Sequence, residues 1–283
     1  MLSLKDQFDE GIVERVTGPP VGVEFYIPHK AVVGEAAEST KLRIVYDASA
    51  WASEKVPSLN ECLHAGPPLQ NKLWAVLVQE RFHPVTLTGD IRQAFLQVRI
   101  REEDKDAMRF HWIMDLQSRR VETLRFTRAL FGLAPSPFLL GGGIKQHLET
   151  CCAEFPDLVR QIEKSLYEDD LISGGPTVQA AREVKAGATN VFGQASFKLH
   201  KWHSNVPEME SPSESLSGDT TFAKEQLGAP QEGGGSSLGL SWNKRQDTIE
   251  VKFPTDSAQV TKRGILAKIA RVYAESCMGC STS

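Results

Sequence analysis

Between Leu166 and Ser173 the chain reads Leu-Tyr-Glu-Asp-Asp-Leu-Ile-Ser, an acidic triplet enclosed by apolar residues. Neighbouring carboxylates are costly, since like charges about 4 Å apart repel by on the order of 4 kcal/mol even at an effective dielectric of about 20. A chain that keeps Asp169 and Asp170 beside apolar strand residues predicts a tight hairpin with carboxylates at its tip and something cationic facing them. Magnesium suits such a place, because it takes oxygen ligands and is commonly shared between one or two carboxylates and substrate phosphates. An Asp-Asp pair alone is most often an exposed turn, so its meaning depends on the segments around it.

Leu4, Phe8 and Ile12 recur at fourfold spacing and predict a short amphipathic helix to about Val16, broken by Gly18-Pro19-Pro20. Residues 21–29 and 41–49 read as two strands of a hairpin around the polar stretch 34–40. Residues 69–82 have helical periodicity, ended by His83-Pro84 because the residue before proline avoids the helical region. A strand over 85–90 then alternates Val85, Leu87 and Gly89 against Thr86, Thr88 and Asp90, placing Asp90 at its end on the face away from the apolar set. A second hairpin is expected from 108–113 and 121–127. A helix follows from Pro135 or Ser136 to about Glu149, weakened by Gly141, Gly142 and Gly143 at about 1 kcal/mol each. Residues 158–165 read as helical or extended, 178–191 as helix and 197–202 as strand. Residues 205–237 turn to Ser, Pro, Glu and Gly, which is linker chemistry. Strands return at 238–243 and 248–253, with a last helix near 261–273.

The 283 residues are 41% hydrophobic and 24% charged, ordinary for a globular chain and unlike a disordered or fibrous one. No apolar run is long enough to span a bilayer, and the start carries Lys5, Asp6, Asp9 and Glu10 in place of a secretion signal. Five cysteines, an odd number, fit a reducing compartment. The lone Cys277-x-x-Cys280 reads as free thiols in a tail before it reads as a zinc site. A net charge of −4 argues against a protein that coats nucleic acid nonspecifically, but not against an enzyme with central carboxylates and a local basic track. Basic clusters stand at Arg119, Arg120, Arg125 and Arg128, and at Lys198, His200 and Lys201. Either is equally a solvated face.

Six segments occur in a particular order: Arg43 to Ser49 (RIVYDAS), Leu87 to Ile100 (LTGDIRQAFLQVRI), Phe131 to Phe138 (FGLAPSPF), Tyr167 to Gly175 (YEDDLISGG), Phe197 to Asn205 (FKLHKWHSN) and Leu238 to Asn243 (LGLSWN). In this series the chain resembles the reverse transcriptase domain of Pao/BEL-type LTR retrotransposons, from about Phe25 to Tyr273. The resemblance implies an α+β right-hand polymerase fold, an antiparallel palm sheet backed by helices with β-rich fingers and a partial thumb. Fingers would take residues 1–84 and 101–135, palm 85–100 and 136–243 including a flexible linker at 205–237, and partial thumb with a divergent tail 244–283. Asp90, Asp169 and Asp170 would be the metal ligands for two magnesium ions, manganese being an alternative. Phe95 matches a steric gate against the ribose 2′-hydroxyl, or is a plain core aromatic. Arg43 matches an arginine on the incoming triphosphate, or is a surface arginine. Phe131 and Gly132 would lie under nucleotide and template, and Tyr167 belongs to the acidic box. Lys201 matches the lysine that protonates departing pyrophosphate, with Lys198 and His200 as rivals. Trp242 is expected to pack.

The partners implied are RNA and DNA template-primer and deoxynucleoside triphosphates, with no membrane. The location implied is intracellular and cytoplasmic, with a nuclear phase open, and not secreted. Two departures stand against the pattern. Glu168 adds a third carboxylate where the family is usually apolar, and its side chain is expected to point away from that of Asp169. The resemblance also ends at Tyr273, with no connection or ribonuclease H segment following. They leave room for a second expectation, a catalytically inactive fragment that binds nucleic acid or protein.

Overall fold

Alternating apolar residues of the sequence gather into short antiparallel strands, and the stretches rich in Ala, Leu, Glu and Lys between them into helices. A computed structural model describes residues 4–33, 42–115, 117–210, 234–237, 240–250 and 261. In chain order the elements are α1 (Leu4–Asp9), β1 (Val13–Arg15), β2 (His29–Val33), β3 (Leu42–Tyr46), α2 (Leu59–Cys62), α3 (Leu73–Glu80), β4 (Val85–Ile91), α4 (Glu102–Lys105), β5 (Arg109–Asp115), β6 (Arg120–Phe126), α5 (Ser136–Cys151), α6 (Pro156–Ser165), β7 (Leu166–Tyr167), β8 (Asp170–Gly175), α7 (Val178–Gln194), β9 (Leu199–Ser204), β10 (Gly234–Ser237), β11 (Leu240–Asn243) and β12 (Thr248–Glu250). All strand pairs among them are antiparallel. The chain divides into two compact units that alternate along it: Met1–Asn71, Arg92–Val159 and Val191–Lys198 form one, Lys72–Ile91, Arg160–Asn190 and Leu199–Ser283 the other.

The first unit holds a sheet in the order β1-β6-β5 and the β2-β3 hairpin. Its core gathers Ile12, Val13, Ile27, Phe110, Leu124, Phe126 and Leu130. Tyr46 sets its ring edge-on to Phe110 and Phe126, with centroids 5.1 and 4.8 Å away. At the edge of this core Asp106 is fully buried and collects a ring of donors. Arg109 donates Nε and Nη2 to it at 3.0 and 2.9 Å, Arg125 donates Nη1 at 2.9 Å, and the Val21 N–H donates at 2.7 Å. Burial alone would raise the Asp106 carboxyl, but these bonds outweigh it and hold the group below the usual carboxylate range.

The second unit holds the sheet β7-β8-β4-β9 and the ribbon β10-β11-β12. Five consecutive residues of β4, Val85 to Gly89, are buried, and so is Ile91. Thr86 and Thr88 are therefore covered as well as the apolar set, so β4 is a strand packed on both faces. Only Asp90 of the strand stays half-buried.

Several expected elements shift. The first helix stops at Asp9, because Gly11 takes a positive φ of 64° and Val13 to Arg15 pair as a strand with Phe126 to Leu124. Ile12 is buried from this turn, not from a helix face. The first strand of the hairpin lies at 29–33 in place of 21–29. Val21 and Val23 are exposed, and Asp106 takes the Val21 N–H that a strand ladder would use. Residues 156–165 settle as helix, and α5 runs through its three glycines to Cys151. Part of the expected linker is a strand, since Gly234 to Ser237 pair with Asn243 to Leu240. The hairpin tip at 34–41, most of the linker, the helix at 261–273 and the Cys277/Cys280 pair fall outside the described residues. Among the described residues no helix is long and apolar enough to cross a membrane.

Replacing Asp106 with alanine leaves Arg109 buried without its main counter-charge, and the expected loss is about 3–5 kcal/mol of unfolding free energy in urea titration. A loss below about 1 kcal/mol would mean the network is incidental to the fold.

Candidate active site

β4 runs between β8 and β9, and its register against both decides where the acidic side chains go. Against β8 the pairs are Thr88 with Ile172, Gly89 with Leu171 and Asp90 with Asp170. The Ile91 N–H donates to the Asp169 carbonyl at 2.8 Å, so Asp90 and Asp170 form a non-hydrogen-bonded pair. Such partners sit about 4.5 Å apart at their α-carbons with side chains on one face of the sheet. Tyr167 pairs with Asp170 and His200 with Asp90, so these side chains share that face. Asp169 occupies the turn between β7 and β8, next to Glu168, which takes a positive φ of 53°.

β9 reaches the same place through a bulge. Thr88 pairs with His203 and Asp90 with His200, so Lys201 and Trp202 together stand opposite the single residue Gly89. Lys201 absorbs the extra residue with a positive φ of 51°. Trp202 lies over Gly89 on the opposite face, so close that a Cβ at residue 89 would meet its ring at 3.0 Å. The Lys185 ammonium lies over that indole, with Nζ 5.2 Å from the ring centroid. The bulge thus turns Lys201 back to the acidic face, where its Nζ is 3.5 Å from Asp90 Oδ2. His200 Nε2 is 3.4 Å from the same oxygen.

Asp169 carries the imbalance of charge. Its carboxyl is pushed up to about 6, first by burial and then by the charge of Asp90, with Glu168 adding to the rise and Lys201 opposing it. Glu168 is therefore not electrostatically neutral towards its neighbour, as the expected strand geometry would have made it. Three carboxylates, Asp90, Asp169 and Asp170, are the residues that could hold a hard, oxygen-seeking cation here. Among the described residues, however, no three His, Cys, Asp or Glu side chains already converge as a metal-holding group. Asp90 Oδ2 has the Lys201 ammonium and a His200 ring nitrogen beside it.

Arg43, Phe95, Phe131 and Gly132 belong to the first unit. Phe95 sits in a 3-10 turn at Ala94–Gln97, is 8% exposed, and meets Phe131 edge-on at 5.3 Å. Phe131 itself is 80% exposed. Gly132 follows with a positive φ of 89°, a conformation that favours glycine, and no atom of the chain beyond its immediate neighbours lies within 4 Å of where its Cβ would stand. Asn60 fixes this turn: it donates to the Gly132 carbonyl at 2.8 Å and to Ser49 Oγ at 2.9 Å, and accepts the Ala134 N–H at 2.8 Å. Sequence reading passed over Asn60. The Ser58-x-x-Glu61 capping box, which starts α2 around it, was the available signal. Arg43 lies in β3, its backbone opposite Val32. Trp242 is buried, its indole N–H donating to Asp247 at 3.0 Å, as a packing residue should.

The fold is a mixed one of helices and antiparallel sheet, and it is similar to that of a reverse transcriptase. The particular likeness is to a native crystal structure of prototype foamy virus protease–reverse transcriptase, with a TM-score of 0.50 and 16% identity over 71% of this chain. The match spans 23% of the viral chain, and at that identity it speaks for the fold alone. No protein-family model and no curated protein matches the sequence.

The raised carboxyl has a consequence for stability without added divalent cation. The folded chain holds a proton on Asp169 that the unfolded chain has released, so between about pH 4 and 6 stability falls as pH rises, and the deficit is complete above the folded value. Asp169→Asn removes it. The variant is expected to be more stable than the native chain at pH 7.5 by about 1–3 kcal/mol, with the difference vanishing near pH 4. Equal or lower stability of the variant in pH 7.5 urea titrations would contradict the burial and repulsion assigned to this group.

Proposed function

We propose that the chain is the polymerase core of a reverse transcriptase from a Pao/BEL-type LTR retroelement, extending a primer on an RNA template with deoxynucleotides. The observation that carries this reading is the β4–β8 register, which sets Asp90 opposite Asp170 with Asp169 at the adjoining turn. The ordered motifs and the shared fold support it. On this reading residues 1–84 and 101–135 act as fingers, 85–100 and 136–243 as palm, and the chain from 244 begins a thumb.

Asp90, Asp169 and Asp170 would hold two magnesium ions, or manganese. These ions, when bound, neutralise phosphate charge and activate the primer hydroxyl in an in-line displacement. The protein's own part is placement. Lys201, whose ammonium lies beside Asp90, would donate a proton to the departing pyrophosphate. Phe95, braced edge-on by Phe131, stands as the bulk that a ribose 2′-hydroxyl would strike, and Asn60 holds the turn carrying that brace. Arg43 offers a guanidinium to the triphosphate, and Tyr167 shares the face of the carboxylates. The protein would work inside the cell with template-primer and deoxynucleoside triphosphates as its partners.

A second reading, an inactive fragment retained for binding, draws on Lys201 and His200 already engaging Asp90 and on the added charge of Glu168. Primer extension on RNA and DNA templates with magnesium separates the two. The native chain is expected to extend the primer, and Asp169→Asn to lose at least about a hundredfold in rate. Extension by Asp169→Asn at the native rate would remove the carboxylate assignment, and no extension by the native chain would favour the inactive fragment. Phe95→Val is expected to raise ribonucleotide use relative to deoxynucleotide by roughly tenfold or more. Unchanged sugar discrimination would leave Phe95 as a core aromatic only.

A further inference from the structure

The arginines of the first unit fall into two kinds. Arg109 and Arg125 reach into carboxylates, Asp106 between them and Glu24, Glu14 and Glu102 around them. Arg99 and Arg128 do not. They face each other across an isolated antiparallel bridge where the chain beyond β6 runs beside the segment following the 3-10 turn. The Ile100 N–H donates to the Thr127 carbonyl at 3.0 Å and the Ala129 N–H to the Val98 carbonyl at 2.9 Å. That pattern makes Arg99 and Arg128 a non-hydrogen-bonded pair, the kind that brings two side chains closest on one face. Like charges directly opposite in such a pair are destabilising.

No carboxylate relieves them among the described residues. Arg128 is half-buried, and burial first and the charge of Arg99 second act to lower its guanidinium from its ordinary value. A backbone that holds two guanidiniums together without a counter-ion is arranged for an anion, and the planar fork of arginine matches phosphate oxygens in pairs. In a chain of net charge −4, a local pair of this kind supplies positive potential that the overall surface lacks. Phe131, 80% exposed, follows Arg128 by three residues and offers a ring face to a base or sugar.

We propose that Arg99 and Arg128 together hold one backbone phosphate of a bound nucleic-acid strand. The choice of a nucleic acid as the source of that phosphate rests on the template-copying reading above.

The test is binding of a fluorescent RNA–DNA hybrid by anisotropy over a range of salt concentrations, with the native chain, Arg99→Gln/Arg128→Gln and Arg99→Lys/Arg128→Lys. For the glutamine pair, affinity is expected to fall roughly tenfold at low salt and the log–log salt slope to become shallower by about 1. The lysine pair, which keeps the charge but not the fork, should keep the native slope with part of the affinity lost. Because two unrelieved like charges are removed, the melting temperature of the glutamine pair should equal or exceed that of the native chain, which separates lost binding from lost folding. Native affinity and slope in the glutamine pair would overturn the assignment while leaving the polymerase reading in place. Failure of the native chain to bind any hybrid would overturn both. Stabilisation of the native chain but not the glutamine pair by inorganic tripolyphosphate, with hybrid binding unchanged, would overturn it in favour of a free polyphosphate ligand.

Discussion

Asp90 facing Asp170 across two neighbouring strands is the contact on which the second unit turns. A like-charged pair at this spacing works against the sheet, so the register must be held from elsewhere. The opposite face does this with Leu87, Ile91 and Leu171, each almost wholly buried and each contributing about 1.5–3 kcal/mol by removal from water. Because side chains alternate along a strand, sliding β4 by one residue would exchange its two faces and put its apolar groups on the side that now carries Thr86, Thr88 and Asp90. The apolar face therefore enforces a polar arrangement that the acidic face by itself would reject.

The two units treat a buried aspartate in opposite ways. Asp106 has no exposed surface, yet it is held charged because two arginines and a backbone N–H converge on it. Asp169 has carboxylates for neighbours and is pushed towards its neutral form. Burial is common to both, and the sign of the outcome is set by what faces the group. A saturated carboxylate has nothing left to offer a ligand. An under-neutralised one would be stabilised by any cation that came beside it.

Much of this was legible in the residues. The alternation in 85–90, the hairpin at 109–126 and the helices at 136–151 and 178–194 follow patterns strong enough to survive their context. The acidic hairpin at 166–173 was likewise written locally. What escaped was set by partners distant in sequence. Val21 and Val23 look like strand residues, but a carboxylate from residue 106 takes the backbone donor. Gly234 to Ser237 look like linker, and a strand at 240–243 recruits them. The bulge at Lys201 has no local signature, since it arises only when β9 is laid against β4. Asn60 is one polar residue among many until its three partners, in separate stretches of chain, are brought to it.

That bulge makes the parity of β9 part of the site's specification. Deleting one residue between His200 and His203 would mend the ladder and look, on paper, like an improvement in strand regularity. It would also leave one position where two are needed, so that the indole over Gly89 and the ammonium beside Asp90 could not both be supplied. The irregular strand is the one arrangement that serves both faces of the sheet at once, and a more ideal version of it would be a less capable one.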